Sequence, residues 1–294
     1  MLVLGGDGML GSMVSRVLRR SPNLDVAATS RRPGAAVPLD AEGGVDAVQR
    51  ACARLRGGDY AINCVGVLKS AIREDDPESI ECARRINSVF PAAVANVAAS
   101  KGVRVIHVST DAVFADGAGV CDEETVADAS DTYGRSKLAG ELESLNVLNV
   151  RCSIIGPDSQ GRRGLLEWFL ARRAGERVAG FADHAWNGVT TLQFAEACRR
   201  IVDQDAFERL RNAGGVHHLC AGAAVTKAEL LDMIRDVFDV PVEIDVVAAP
   251  NGPITRTLAT RFAALHATIH PGMTIRRALT ELAADMRSQS THTP

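Results

Sequence analysis

The sequence is poor in the features that mark several large classes of protein. Aromatic residues make up only 4% of its 294 residues, and it has just two tyrosines and two tryptophans. It has no run of about 18 apolar residues, the length that a membrane-spanning helix needs, and no long basic run. Together with a formal net charge of −3, these absences argue against binding to nucleic acid or to a membrane.

Cysteines are present, but no two of them have the CxxC spacing of a metal or redox motif. Their number is odd and they are scattered, at positions 52, 64, 82, 121, 152, 198 and 220. This usage favours reduced thiols in a cytoplasmic protein and predicts no metal site. The N-terminus also lacks the charged and apolar segments of a signal peptide, so we expect no leader.

What is present is the composition of an ordinary globular protein, 46% hydrophobic and 23% charged. Apolar strand-like runs alternate with amphipathic helix-like segments through residue 156. The runs lie at the start of the chain and in LDVAATSRR (24–32), DYAINCVGV (59–67), VRVIHVST (103–110) and LNVLNVRCSIIG (145–156). Helices are expected after the first glycines and over 45–57, 76–102 and 131–145, with Pro91 kinking or breaking the third. This order predicts a parallel sheet covered by helices on both faces.

The regular alternation of strand-like and helix-like segments ends after Gly156. Helices are expected over 164–176, 191–204, 226–240 and 273–289, and a short strand over 215–222. Thr226 and Glu229 have the spacing of a capping box. The fold class predicted is therefore α/β, a Rossmann-type doubly wound parallel sheet with a smaller, interleaved C-terminal substrate domain.

The stretch GGDGMLG spaces Gly5, Gly8 and Gly11 as G-x-x-G-x-x-G between a predicted strand and a predicted helix. The first glycine permits a tight turn, the second a close approach to a pyrophosphate, and the third close packing of helix on sheet. The helix N-terminus would then face the anion. The alternative is a strand-to-helix turn that merely needs glycine. We interpret 1–156 and about 189–222 as an NADP-binding Rossmann domain, and about 157–188 and 223–294 as a substrate-binding part.

The end of the second strand should distinguish the two nicotinamide cofactors. An acid there would bind the ribose 2′-hydroxyl, but the sequence has Ser30, Arg31 and Arg32 instead. A guanidinium pairs well with a 2′-phosphate, so NADP(H) is preferred over NAD(H); solvated surface arginines are the alternative. Asp40 could bond the adenine or simply cap a turn.

Candidate catalytic residues follow the fourth strand, where Ser109, Thr110 and Asp111 end VRVIHVSTD. Tyr133 and Lys137 lie one turn apart on the next predicted helix. Reduction of a carbonyl leaves charge on oxygen, which a phenol can protonate and a hydroxyl can stabilise. A lysine ammonium favours phenolate and lowers the pKa of the phenol. The alternative is a chance pair on a helix surface; the other tyrosine, Tyr60, is expected to pack.

The chain resembles the extended short-chain dehydrogenase/reductase family, and within it the dTDP-4-dehydrorhamnose reductases and related nucleotide-sugar reductases. The resemblance rests on GGDGMLG (5–11), DYAINCVG (59–66), 86–114, YGRSKLAGE (133–141) and VRCSIIGP (150–157), and continues loosely through 184–196 and 215–222.

The resemblance implies a Rossmann domain with a smaller sugar-nucleotide domain and the reduction of a nucleotide-linked 4-keto-6-deoxy sugar. It implies the following site residues: Thr110, Tyr133 and Lys137 for catalysis; Gly5, Asp7, Gly8, Met9, Leu10, Gly11, Val65 and Gly66, with Tyr133 and Lys137, for the cofactor; Asp111 and Phe114 beside the substrate.

The chain departs from the family pattern near the substrate. Ala112 replaces the tyrosine of the usual STDYVF, and VLKSAIRED replaces an acidic loop; Lys69 in it could reach a phosphate or be solvated. In DHAWNGVTT, Trp186 could stack on a base or sugar, and the alternative is that it packs in the hydrophobic core. Asn187 and Thr190 could form hydrogen bonds with sugar hydroxyls.

Other polar residues are expected to be structural. At most one of His217 and His218 should face inward from a strand, and packing is favoured over catalysis. Cys152 lies in too apolar a context for a reactive thiolate.

Three functions stay open on the sequence. The leading hypothesis is an NADPH-dependent reductase of a nucleotide-linked keto sugar in glycan or polysaccharide precursor synthesis. The alternatives are an epimerase or dehydratase that keeps its cofactor bound, and a non-catalytic regulatory subunit with the same fold. A homodimer is possible by analogy alone.

Overall fold

The computed structural model describes residues 1–158, 164–267 and 273–290. The strands, in chain order, are β1 Leu2–Leu4, β2 Ala27–Ala28, β3 Tyr60–Asn63, β4 Arg104–Val108, β5 Val120–Cys121, β6 Val147–Arg151, β7 Ile154–Ile155, β8 Arg177–Phe181, β9 Ala185–Trp186, β10 Val189–Thr190, β11 Val216–His218, β12 Val225–Thr226, β13 Glu243–Val247 and β14 Thr257–Leu258.

The helices, in chain order, are α1 Met9–Leu18, α2 Gly44–Ala51, α3 Pro77–Arg84, α4 Phe90–Ala99, α5 Thr132–Leu138, α6 Leu165–Leu170, α7 Thr191–Asp203, α8 Phe207–Ala213, α9 Lys227–Phe238, α10 Ala263–His266 and α11 Ile275–Ser290. A π-helical turn spans Arg85–Val89, and 3-10 turns span Lys69–Ala71 and Asp111–Val113. None of the helices in the described ranges has the length and apolarity that a bilayer crossing requires.

Six strands form one parallel sheet in the order β11-β6-β4-β3-β1-β2. A parallel bridge between Ser30 and Pro38 extends it beyond β2. From β1 the chain builds toward one edge, and from β3 it builds toward the other. This reversal opens a crevice at the carboxyl ends of β1 and β3, where ligands bind in such sheets. The predicted α/β fold with a parallel sheet is confirmed.

Alternation along the strands divides the core into two layers, because successive side chains of a strand point to opposite faces. One layer contains Val3, Ile62, Ile106 and Leu148 and packs against α1 and α7. The other contains Leu2, Leu4, Ala61, Val105 and Val147 and packs against α2 and α4. Every one of these nine side chains is at most 2% exposed.

The predicted break near Pro91 is confirmed, and it takes the form of the π-helical turn before α4. Proline has no N–H to donate to the carbonyl of Asn87, four residues earlier. That carbonyl lies against Gly140 instead, where an added Cβ would come within 2.0 Å of its oxygen. The break therefore brings the segment after α5 against the helix.

The helix predicted over 131–145 is too long, since α5 ends at Leu138. The contact of Gly140 with the π-helical turn stops the helix, and the next residue, Glu141, pairs with Arg151 at the end of β6. The helix predicted over 164–176 is likewise confined to Leu165–Leu170.

Segments from the second half of the chain join the sheet. Strand β11 pairs with β6, and α7 packs against α1. The remaining segments form two-stranded pairs, β8 with β13, β9 with β12, β5 with β14 and β7 with β10. Helix α9 begins with the predicted capping box of Thr226 and Glu229. The domain boundaries given above stay a prediction.

A buried ion pair joins the chain after α5 to the end of β6. Arg151 donates from Nε and Nη2 to the two carboxylate oxygens of Glu141, over 2.8 and 2.7 Å. The two side chains are 7% and 6% exposed, and Ser109 Oγ donates to the same carboxylate over 2.5 Å. Removal of one partner from such a pair leaves a buried charge uncompensated.

Glu141→Ala is expected to lower the free energy of unfolding by about 3–5 kcal/mol, because it strands the Arg151 guanidinium. Urea unfolding followed by circular dichroism measures the change. The matched control is Glu81→Ala, which removes a carboxylate from an exposed ion pair with Arg84 and should leave the midpoint unchanged. Equal midpoint shifts in the two variants would contradict the importance of burial.

Candidate active site

The glycine-rich turn after β1 brings the start of α1 against the backbone of the turn itself. Gly5 has a φ of +81°, a conformation that glycine adopts without strain. Gly8 N–H donates to the Gly5 carbonyl over 3.0 Å and closes the turn. A Cβ on Gly11 would stand 2.1 Å from that same carbonyl oxygen, so only glycine allows this packing.

The same turn leaves the N-terminus of α1 open. Gly8 is the N-cap and offers no side-chain acceptor, and the first turn contains no acid. An added Cβ on Gly8 would meet only the Gly5 carbonyl oxygen, at 3.4 Å. Met9 begins the helix, and Leu10 turns into the core. Free N–H groups and the positive end of the helix dipole, at a face clear of side chains, fit the pyrophosphate of a dinucleotide.

The end of β2 presents two exposed arginines beside this turn, Arg31 and Arg32. Arg32 Nε lies 3.8 Å from Asp7 Oδ1, and Ser30 Oγ donates to the same carboxylate. Asp7 thus holds the end of β2 against the glycine turn. Asp40 accepts the N–H of Glu42 over 3.1 Å, which is the turn-capping alternative given above.

Residues Val65 and Gly66 follow β3 and lie beside the glycine turn. A Cβ on Gly5 would meet Val65 Cγ2 at 3.1 Å. The segment is held by Asn87, whose Oδ1 accepts the Val67 N–H over 2.8 Å while Nδ2 donates to the Val67 carbonyl over 3.1 Å. The predicted cofactor loop is therefore fixed by a side chain from the π-helical turn.

Asn87 is a residue that the sequence interpretation missed. It is fully buried, and Nδ2 also donates to Ser136 Oγ over 3.1 Å. One side chain thus ties the cofactor loop to α5, the helix that carries Tyr133 and Lys137. The available signal was Pro91, which marks the helix break that turns Asn87 inward.

The structure brings Thr110, Tyr133 and Lys137 to the carboxyl ends of β4 and β6. Lys137 is 5% exposed and its Nζ donates to the Val108 carbonyl over 2.6 Å. The Thr110 hydroxyl lies near enough to the Tyr133 phenol to lower the pKa of that phenol. A phenol, a hydroxyl and an ammonium therefore meet beside the cofactor loop.

Burial dominates the titration of both ionisable groups. It raises the pKa of the Tyr133 phenol to about 12, against the opposing effect of the nearby Thr110 hydroxyl. It lowers the pKa of the Lys137 ammonium to about 8, against the charge of Glu141. The sequence predicted a phenol pKa lowered by lysine; in the structure burial has the larger effect, so the pKa of the phenol is raised. At neutral pH the phenol is fully protonated, which suits a proton donor.

The thiols near the site are in their protonated form. Burial raises the pKa of Cys64 to about 12 and raises that of Cys152 even further. Cys152 is 3% exposed. Burial disfavours the charged form of Cys152, so its surroundings agree with the expectation that it is no reactive thiolate.

Two cations from the second half of the chain border the opposite side of the site, and the sequence interpretation missed both. Arg256 Nε lies 3.5 Å from Asp111 Oδ2, and its Nη1 donates to Asp116. Lys227, the first residue of α9, places Nζ 5.5 Å from the centre of the Trp186 ring. No local motif marks either residue, since only the tertiary fold brings them to Asp111.

Three residues predicted to contact the sugar have their polar groups engaged within the protein. Trp186 is 6% exposed and donates its indole N–H to Ser153 Oγ over 2.9 Å. Asn187 bonds the carbonyl and the N–H of Leu258, over 2.7 and 3.1 Å. Thr190 caps α7. The structure therefore engages the polar groups of all three within the protein.

Three further residues that the sequence offers for the substrate side have contacts within the protein. Phe114 is 1% exposed and packs edge-to-face on His218, 5.8 Å between ring centres, so it belongs to the core. Ala112 is buried too, under Thr110. Lys69 pairs with Asp131, the N-cap of α5, over 2.6 Å.

The two histidines and the second tyrosine are structural. His217 and His218 are both fully buried, so the expectation that at most one faces inward is wrong, because both faces of β11 are covered. His217 bonds the Leu210 carbonyl, and its ring packs on Phe262. Tyr60 packs edge-to-face on a phenylalanine ring, as predicted.

The model of the family described as the RmlD substrate binding domain matches residues 1–267. The chain belongs to this family. A relative from Mycolicibacterium smegmatis, a dTDP-4-dehydrorhamnose reductase, is 32% identical over 146 residues, which are 48% of this chain and 39% of that protein. A probable low-salt glycan biosynthesis reductase from Haloferax volcanii is 27% identical over 274 residues, 86% of each chain.

Solved structures show the same fold for the RmlD family chain. The dTDP-4-dehydrorhamnose reductase of Bacillus anthracis, solved in complex with NADP, superposes with a TM-score of 0.77. The match covers 97% of this chain and 98% of that one, at 17% sequence identity. This likeness shows the shared fold.

Gly8→Ala and Gly11→Ala form a matched pair that separates binding from packing. Gly8→Ala is expected to leave the melting temperature unchanged and to weaken NADPH binding by about tenfold or more, because the methyl group enters the open face of the turn. Gly11→Ala is expected to lower stability by at least about 1–3 kcal/mol through overpacking on the Gly5 carbonyl. Thermal unfolding and NADPH fluorescence titration measure both effects. Equal melting temperatures for Gly11→Ala and the unmodified protein would contradict the packing argument.

Proposed function

We propose that the protein is an NADPH-dependent reductase that acts on the keto group of a nucleotide-linked 4-keto-6-deoxy sugar in glycan precursor synthesis. One observation carries this proposal: a protonated phenol, a hydroxyl and a buried ammonium meet at the sheet edge beside an open dinucleotide turn. The reductase names of the bacterial and archaeal relatives support it.

Bound NADPH supplies the hydride for this chemistry. Gly5, Gly8 and Gly11 would hold its pyrophosphate, and Val65 and Gly66 would lie along it. As charge grows on the carbonyl oxygen, the Tyr133 phenol donates its proton to that oxygen, and the Thr110 hydroxyl stabilises it by hydrogen bonding. The phenol, with a pKa raised to about 12, gives up its proton only when a strongly basic oxygen forms.

Lys137 has two tasks in this proposal. Its ammonium lies at the carboxyl end of β4, held by the Val108 carbonyl, where it can bond the nicotinamide ribose. When Tyr133 releases its proton, the same positive charge stabilises the phenolate left behind. Asp111, one residue from Thr110, borders the space for the sugar.

Two features weigh against the alternative functions. The thiols nearest the site are protonated, so an epimerase that uses cysteine as a base is disfavoured. Thr110, Tyr133 and the anchored Lys137 are all retained, and a regulatory subunit would not need this set, so a non-catalytic role is disfavoured. NADPH consumption in proportion to product separates reduction from epimerisation.

Tyr133→Phe is expected to reduce turnover of nucleotide-linked 4-keto-6-deoxy sugars by about 10²–10⁴-fold, since it removes only the proton donor. NADPH affinity should stay within about twofold, because the ring remains. Loss of NADPH absorbance measures turnover, and fluorescence titration measures binding. Full activity in Tyr133→Phe would overturn the assignment of the acid.

The preference for NADPH over NADH is expected to depend on the arginines after β2. Replacing Arg31 and Arg32 by alanine should weaken NADPH binding by about tenfold or more, as charge-assisted bonds to the 2′-phosphate are lost, and leave NADH binding unchanged. The control replaces Arg54 and Arg56, in the loop that leads into the amino end of β3, whereas Arg31 and Arg32 follow the carboxyl end of β2. Parallel loss of NADPH and NADH affinity would contradict recognition of the phosphate.

A further inference from the structure

A short connecting segment, residues 69–74, runs from the loop after β3 to the start of α5. It follows Val65 and Gly66 in the chain and precedes α3. It belongs to VLKSAIRED, the stretch in which the chain departs from the family pattern. The two charged side chains Lys69 and Glu74, at its ends, both reach residues beside Tyr133.

Glu74 holds the first residue of α5 with both of its carboxylate oxygens. The Thr132 N–H donates to Oε1 over 3.0 Å, and Thr132 Oγ1 donates to Oε2 over 2.6 Å. Thr132 begins α5, so its N–H has no acceptor within the helix. Glu74 therefore satisfies a backbone donor in the residue directly before Tyr133.

Lys69 contacts the same end of α5 through the residue that caps it. Lys69 Nζ lies 2.6 Å from Asp131 Oδ2, and Asp131 Oδ1 accepts the N–H of Gly134 over 2.7 Å. Lys69 is 55% exposed, and an exposed ion pair of this kind adds little to stability. The two hydrogen bonds of Glu74 are therefore the more specific of the two contacts.

Tyr133 depends on these contacts because it is the second residue of a helix of only seven residues. The bonds made by Ser136 and Lys137 hold α5 about one turn further along. A helix end whose backbone groups lack partners frays. The bonds at Thr132 therefore keep the first turn, and with it Tyr133, in place.

We propose that Glu74 is a positioning residue for the reduction: by bonding Thr132, it holds the Tyr133 phenol where the phenol donates its proton. This deepens the proposed function, on which it rests. Glu74 has no contact with the reacting atoms in this proposal and acts only through α5. A catalytic group displaced by about 1 Å loses about 10²-fold in rate, so a loosened first turn is expected to slow the reaction.

The first test measures turnover of nucleotide-linked 4-keto-6-deoxy sugars. Glu74→Ala is expected to lower kcat by about tenfold or more and to leave NADPH affinity unchanged. Glu74→Gln keeps an oxygen for the Thr132 N–H and an amide that can donate to its hydroxyl, so it should retain most of the turnover. The matched control is Asp75→Ala, which removes an exposed carboxylate from the neighbouring position.

The same substitution made in Tyr133→Phe shows whether Glu74 acts through the phenol. If it does, Glu74→Ala costs nothing further once the phenol is gone. An equal loss of kcat in the presence and in the absence of the phenol would overturn the proposal.

A second readout needs no turnover. The chain has only two tyrosines, Tyr60 and Tyr133, so protein labelled with 3-fluorotyrosine gives two fluorine NMR signals, which Tyr60→Phe assigns. Glu74→Ala is expected to move the Tyr133 signal toward its position in the urea-unfolded protein, whereas Glu74→Gln and Asp75→Ala leave it in place. The melting temperature should change by less than about 2 °C, because the contact lies at the surface.

The outcomes separate this proposal from the proposed function. An unmoved Tyr133 signal in Glu74→Ala would overturn the positioning role even if the protein reduces keto sugars. Movement of both tyrosine signals with a large fall in melting temperature would also overturn it, because Glu74 would then support the whole fold. Movement of the Tyr133 signal alone, beside an absence of keto-sugar reduction, would contradict the reductase and leave the positioning of Tyr133 standing.

Discussion

The arrangement of the candidate site depends on one buried ammonium, that of Lys137, which the fold keeps out of bulk water. Lys137 is 5% exposed, and its Nζ is anchored on the Val108 carbonyl at the last residue of β4. A lone buried charge costs several kcal/mol, and this bond, with the carboxylate of Glu141 nearby, offsets part of that cost. The anchor joins α5 directly to the sheet, so the position of Tyr133 follows from it.

The elements around α5 pack closely against it and hold it in place on the sheet. A helix of seven residues has little apolar surface of its own, and glycine lets it approach its neighbours at backbone distance. A Cβ on Gly134 would stand 2.2 Å from the Ala112 carbonyl oxygen, and one on Gly140 would stand 2.0 Å from that of Asn87. The Asn87 side chain then bonds Ser136 and the loop after β3. Helix α5, the loop after β3 and the π-helical turn thus form one connected unit.

Local patterns were enough to predict the parallel sheet, the glycine turn at Gly5 and the placement of Tyr133 on a helix after a strand end, because each depends on residues close together in the chain. The length of α5 could not be predicted, since its end is a tertiary contact at Gly140. Lys227 and Arg256 carry no motif, and only folding brings them to Asp111. Trp186, Asn187 and Thr190 lie in a stretch that the sequence offers as a sugar-side loop, but the partners of their polar groups, distant in the chain for Trp186 and Asn187, are set by the tertiary fold.

The open end of α1 suits an anionic ligand, and the residues proposed for catalysis, Thr110 and Tyr133, follow the fourth strand of the same sheet. The most direct test of reduction supplies NADPH carrying deuterium at the transferable C4 position together with a nucleotide-linked 4-keto-6-deoxy sugar. The proposed function requires one deuterium at C4 of the product sugar for each NADP⁺ released. A product without deuterium, or conversion with no net loss of NADPH, would contradict it.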